Sequence, residues 1–159
     1  MLGKVMRIKL TSMRGYTLME FIVVLSVIGI LSAVALPSFS TQIKENRLSS
    51  YANELHNLYK FARGEAASKN EKIDLKFEDE KWTVTVQGTT EPISVYEPSY
   101  DAITVVKTGS SILHVTITTT GAAQESAIFS ISDENEDTED YNLCIYISGQ
   151  STLNKTSEC

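Results

Sequence analysis

Arg14-Gly15-Tyr16-Thr17-Leu18-Met19-Glu20 runs directly into Phe21-Ile22-Val23-Val24-Leu25-Ser26-Val27-Ile28-Gly29-Ile30-Leu31-Ser32-Ala33-Val34-Ala35-Leu36, and this join decides the architecture. A basic piece ends at a glycine and an aromatic residue follows. A lone carboxylate then opens a run without charge, softened only by Ser26, Gly29 and Ser32. Residues 16–36 make 21 positions before Pro37, about 31 Å as a helix at ~1.5 Å per residue. That length matches the roughly 30 Å hydrocarbon core of a bilayer. The expectation is a membrane-spanning helix with an acid near one end.

Glu20 is the informative residue. A carboxylate in an apolar helix costs on the order of 2.5–3.5 kcal/mol on insertion scales. One reading leaves it solvated at the bilayer interface. The other requires a cation, and residues 17–43 contain no Lys or Arg. A cut after Gly15 would free the α-amino group of Tyr16 about one helical turn from Glu20. The same amine on a neighbouring chain would serve equally well and would set the axial register between subunits.

Gly15-Tyr16-Thr17-Leu18-Met19-Glu20 resembles the prepilin peptidase site of type IV pilins and pseudopilins, whose common form is Gly-Phe-Thr-Leu-x-Glu. The likeness includes a short leader bearing Lys4, Arg7, Lys9 and Arg14, the apolar helix, and Pro37 where the family often kinks that helix. Tyr16 replaces the usual Phe. The resemblance implies cleavage between Gly15 and Tyr16, N-methylation of Tyr16, an inner-membrane assembly platform, and packing of the mature chain into a helical filament with other pilins.

Charge supports that topology. The leader carries four of the 14 Lys and Arg and none of the 20 Asp and Glu, so the mature chain holds 10 basic against 20 acidic side chains, −10. Positive charge ahead of the helix keeps that end cytoplasmic and sends the rest outside the inner membrane. The apolar run lies after the candidate cut, unlike that of a secretory signal, and stays in the product. A surface at −10 repels phosphate backbones, which makes nucleic acid an unfavourable direct partner. The outer compartment permits disulfides. A Cys144–Cys159 bridge would close a loop of about 15 residues, worth roughly 3 kcal/mol in the chain-entropy model. Two free thiols are the other outcome.

Past Pro37, which should bend the helix without necessarily ending it, Tyr51, Leu55, Leu58, Ala62 and Ala66 recur at helical spacing. The helix is expected to lie on a sheet and end near Ser68-Lys69-Asn70. The period then changes to two. Ile73, Leu75 and Phe77, then Trp82, Val84 and Val86, alternate with polar residues about the turn Glu78-Asp79-Glu80-Lys81 and predict a hairpin. Gly88 and Pro92 mark a loop. Further strands are predicted at 93–96, 102–106, 112–118, 127–132 and 143–147, with the hydroxyls of Thr116–Thr120 facing solvent. The domain reading is 1–15 leader, 16–36 spanning and filament-core helix, 37–70 amphipathic continuation and 71–159 β-rich domain. The fold class is α+β, a long helix packed on antiparallel strands. The β-rich tail, with Gly121, Gly149 and late cysteines, resembles the FimT/FimU/GspH group of minor pilins and minor pseudopilins.

No catalytic set emerges, and no cofactor is expected. His56 falls on the helix and His114 in a strand, with no nucleophile motif or phosphate loop beside them. Within residues 133–140, Asp133, Asn135, Asp137 and Glu139 alternate as calcium-loop ligands do. The pattern fails at Thr138, where such loops need Gly, and at Cys144, where a bidentate Glu belongs. A solvated acidic loop is the favoured reading, with weak calcium binding the alternative. Some FimT-like relatives bind DNA through an Arg-bearing C-terminal segment; here residues 149–159 contain one Lys, one Glu and no Arg. The resemblance implies a structural minor pilin that helps to initiate a type IV pilus or lies near its tip. The alternatives are a minor pseudopilin of a type II secretion system and, below it, a DNA-uptake or adhesive subunit.

Overall fold

The protein is described by a computed structural model over residues 15–99, 102–135, 138–155 and 159, with the side chains of 34–38 outside the description. Its elements are α1 (Leu18–Lys69), β1 (Ile73–Glu78), β2 (Lys81–Val86), β3 (Pro92–Tyr96), β4 (Ile103–Lys107), β5 (His114–Ile117), β6 (Ala127–Asp133), β7 (Tyr141–Ile145) and β8 (Ser151–Asn154). Two compact units divide the chain at residues 39 and 40. The first holds the apolar part of α1. The second holds the remainder of α1 and every strand.

In the second unit, α1 buries Leu48, Tyr51, Ala52, Leu55, Leu58, Tyr59, Ala62 and Ala66. The spacing of three and four puts them on one helical face. The stripe is wider than the five positions the sequence singled out, because Leu48, Ala52 and Tyr59 join it. Past Lys69 the helix stops at Asn70, whose φ of 55° is the left-handed conformation Asn tolerates after a C-terminus.

The stripe packs with two antiparallel sheets into one core. Strand order is β3-β2-β1-β5 in one sheet and β4-β6-β7-β8 in the other. The predicted β1–β2 hairpin forms with Glu78 opposite Lys81. Its two-residue loop, Asp79 and Glu80, has φ of 52° and 62°. Positive φ at both central positions is what a tight hairpin matching the strand twist requires.

Trp82 joins the layers. It is fully buried, and its Nε1–H donates to the Tyr51 hydroxyl on α1 at 2.9 Å. Its ring meets Phe77 of its own sheet at 5.2 Å and Phe129 of the other, edge-on, at 5.8 Å. Lys107 makes a second link: from β4 its ammonium donates to the His114 carbonyl on β5 at 2.8 Å and pairs with Glu125. That pairing holds the Glu125 carboxyl below its usual range.

Several expectations are corrected. The last predicted strand, 143–147, lies earlier, at Tyr141–Ile145, because a turn closed by Gly149 N–H to Tyr146 O takes residues 146–149. β8 was not anticipated. It pairs Leu143 with Leu153 and Ile145 with Ser151, and its polar composition hid it. Pro92 starts β3, an edge strand, where a missing N–H costs little. Thr116 does not face solvent. It is buried beside Asp74, and its Oγ1 donates to Asp74 Oδ1 at 2.7 Å. His114 Nε2 sits 3.1 Å from the same oxygen. Asp74, read as the polar side of a half-buried strand, is therefore only 6% exposed. A buried carboxylate requires such partners.

Replacing Tyr51 with Phe removes the acceptor for a buried indole N–H. Tyr51→Phe should destabilise the unit Ser40–Cys159 by about 1–3 kcal/mol in a urea melt. A Tyr51→Phe/Trp82→Phe double variant should lose less than the two single losses added together.

Candidate processing and assembly site

In the first unit, α1 begins at Leu18, and residues 15–17 precede it without regular structure. Thr17 caps the helix: its carbonyl accepts the Phe21 N–H at 3.2 Å and its Oγ1 accepts the Glu20 N–H at 3.2 Å. The first acceptor bond and the side-chain bond to N3 together define an N-cap. Sequence reasoning passed over this role, although Thr17-Leu18-Met19-Glu20 has the Ser/Thr-x-x-Glu form of a capping box.

Gly15, Tyr16 and Glu20 are all exposed. Glu20 lies in the first turn of α1, where the helix dipole favours an anion by about 0.3–1 kcal/mol. Among the described residues no cation pairs with its carboxylate. The apolar run behind it is uncovered all round: the large side chains from Phe21 to Leu31 are 50% to 69% exposed. Ser26 returns its hydroxyl to the Ile22 carbonyl at 2.8 Å, so it adds little polarity to the surface. Among the described residues no helix is long and apolar enough to cross a membrane. The expected span over 16–36 includes 34–36, whose side chains lie outside the described residues. α1 itself continues through Pro37, so the proline does not end it.

The other residues singled out from sequence lie in the second unit and are not assembled into one site. Cys144 and Cys159 form a disulfide. In the acidic loop, Asp133 Oδ1 already accepts the Asn135 N–H at 3.0 Å and the Thr138 hydroxyl. Glu139 lies 3.4 Å from Lys155 Nζ, which also bonds Glu45 of α1 at 2.6 Å. These pairings, that with Glu45 foremost, push the Lys155 ammonium above its ordinary pKa. Asp137 lies outside the described residues. Among the described residues no group of three or more His, Cys, Asp or Glu is arranged to hold a metal. His56 is a packing residue bonded to Ser151 at 2.9 Å, and desolvation lowers its pKa.

Sequence reasoning also missed a clasp on α1. The Tyr59 hydroxyl donates to the Gly149 carbonyl at 3.0 Å, and one turn later Arg63 Nε donates to the Gly121 carbonyl at 3.0 Å. Both glycines have positive φ, 80° and 78°. A Cβ at Gly149 would run into the Gly121 carbonyl.

Residues 51–151 match the family described as Type II transport protein GspH. The chain belongs to that family. The match spans the clasp, the indole junction and all but the end of the second sheet. The fold is type IV pilin-like and agrees with solved structures. The crystal structure of the type IV minor pilin FimU from Pseudomonas aeruginosa (strain PAO1) aligns with a TM-score of 0.61 at 22% identity, over 70% of this chain and 90% of that one. The minor pseudopilin EpsH from the type 2 secretion system of Vibrio cholerae aligns with a TM-score of 0.56 at 10% identity, over 71% and 99%. The sequence finds no match among curated proteins. Membership in the GspH family places the chain in the minor pilin and minor pseudopilin group.

Gly149→Ala should combine backbone strain with collision and cost more than about 2 kcal/mol. Gly109→Ala, at φ 79° with open space around it, should cost only about 1–2 kcal/mol. Chemical denaturation of the two variants side by side checks the difference.

Proposed function

We propose that the chain is a structural minor pilin of a type IV pilus, helping to initiate assembly or lying near the tip. The observation that carries this reading is the exposed helix surface from Phe21 to Leu31, opened by Glu20, whose carboxylate pairs with no cation among the described residues. Such a surface has to be covered by lipid or by other apolar helices. In this reading prepilin peptidase cuts between Gly15 and Tyr16, Tyr16 is N-methylated, and residues 16–36 hold the subunit in the inner membrane with its C-terminal domain periplasmic. The assembly platform then moves that helix from lipid into a bundle of like helices.

Lipid and bundle are similarly apolar, so hydrophobicity cannot direct the transfer. Pairing of Glu20 with an N-terminal amine supplies the register. Glu20→Ala should then leave a processed, membrane-bound protein that is poorly incorporated into sheared pili on immunoblots. Normal incorporation would overturn the role of Glu20.

The FimU likeness, at higher identity and TM-score than EpsH, supports the pilus reading, as does a C-terminal disulfide. The family match favours a second reading, a minor pseudopilin of a type II secretion system. Deleting the gene should abolish or reduce surface piliation while exoprotein release continues. Loss of release with piliation intact would select the pseudopilin.

A further inference from the structure

We propose that Thr17 governs how readily the leader is removed, by holding the Gly15–Tyr16 bond outside α1; this rests on the processing reading above. Hydrolysis there adds the water hydroxyl to the Gly15 carbonyl carbon. The C–N bond then breaks, and Tyr16 leaves as an amine carrying the water proton. The reacting carbonyl must be free to turn toward the peptidase and to accept hydrogen bonds as charge develops on its oxygen.

Among the described residues no backbone group ties it down. The first carbonyl engaged by α1 is that of Thr17, and no described backbone N–H reaches the Gly15 carbonyl. Tyr16, on the other side of the bond, is 89% exposed. This boundary depends on the Thr17 side chain, whose Oγ1 satisfies the Glu20 N–H. Without the hydroxyl, the next residue upstream that caps well is Gly15. A helix capped at Gly15 would begin at Tyr16, and its first hydrogen bond would fall on the Gly15 carbonyl, since the N-cap carbonyl accepts that bond. The scissile group would then be tied down along the helix axis. Thr17 therefore acts on the reaction as a positioning residue, through the place where the helix starts.

The test follows the full-length chain in inner-membrane vesicles containing prepilin peptidase, reading leader removal over time by intact mass. Thr17→Ser and Thr17→Asn cap as well as Thr and should be cleaved at the wild-type rate. Thr17→Gly, which caps nearly as well without any side chain to be recognised, should stay within about twofold. Thr17→Ala and Thr17→Val, the latter close to Thr in shape, should be cleaved about fivefold more slowly, the equivalent of about 1 kcal/mol of lost capping. Wild-type cleavage of Thr17→Val, or slow cleavage of Thr17→Gly, would mean that the peptidase reads side-chain shape and would overturn the capping role alone. A wild-type chain left whole would remove the processing reading and this inference with it.

Discussion

The hydrogen bond from the Trp82 indole to the Tyr51 hydroxyl is the constraint on which the globular unit turns. A buried indole N–H needs an acceptor, and the one it finds is on the helix. Because the same ring touches Phe77 and Phe129, one from each sheet, this bond sets the helix and both sheets against one another. Two turns along α1, Tyr59 and Arg63 hold the carbonyls of Gly149 and Gly121. The helix is thus keyed by directional bonds near both ends of its buried stripe. Dispersion and burial contribute more energy but would tolerate a slide along the axis.

The two units divide the work of the chain. Leu48 to Leu153 supply a core that is complete within residues 40–159. The apolar side chains before residue 32 are covered by nothing in the described chain and keep at least half their surface. Folding accounts for the first set. In the function proposed above, the second set is covered only by association, with lipid or with other helices.

Acidity is managed inside the globular unit in a similar way. Lys155 stands between Glu45 and Glu139, with Tyr141 beneath its ammonium at 5.7 Å. The residue just past β8 thereby brings a cation to carboxylates from α1 and from the β6–β7 loop. Asp133, the first alternating acid of that loop, spends its oxygen on the loop's own N–H and hydroxyl. Two of the residues that looked like calcium ligands, Asp133 and Glu139, pair instead with groups of the chain itself.

Much of this was legible in residue order. The helix stripe around Leu55, the Ile73–Val86 hairpin and the apolar join after Glu20 each follow from a period or a local chemistry that a few neighbouring residues carry. Thr17 was legible too, through its spacing to Glu20. With only two cysteines, Cys144 could bridge within the chain only to Cys159. The buried state of Asp74 and Thr116 was not legible, because it depends on β5 lying beside β1, some 40 residues away. Nor was β8, whose polar sequence becomes a strand only through the open edge of β7. Sequence by itself determined where the chain is apolar, where the long helix ends and where the first hairpin turns. Tertiary structure alone decided which polar groups are buried and which two glycines must touch, because those outcomes require partners that residue order leaves far apart.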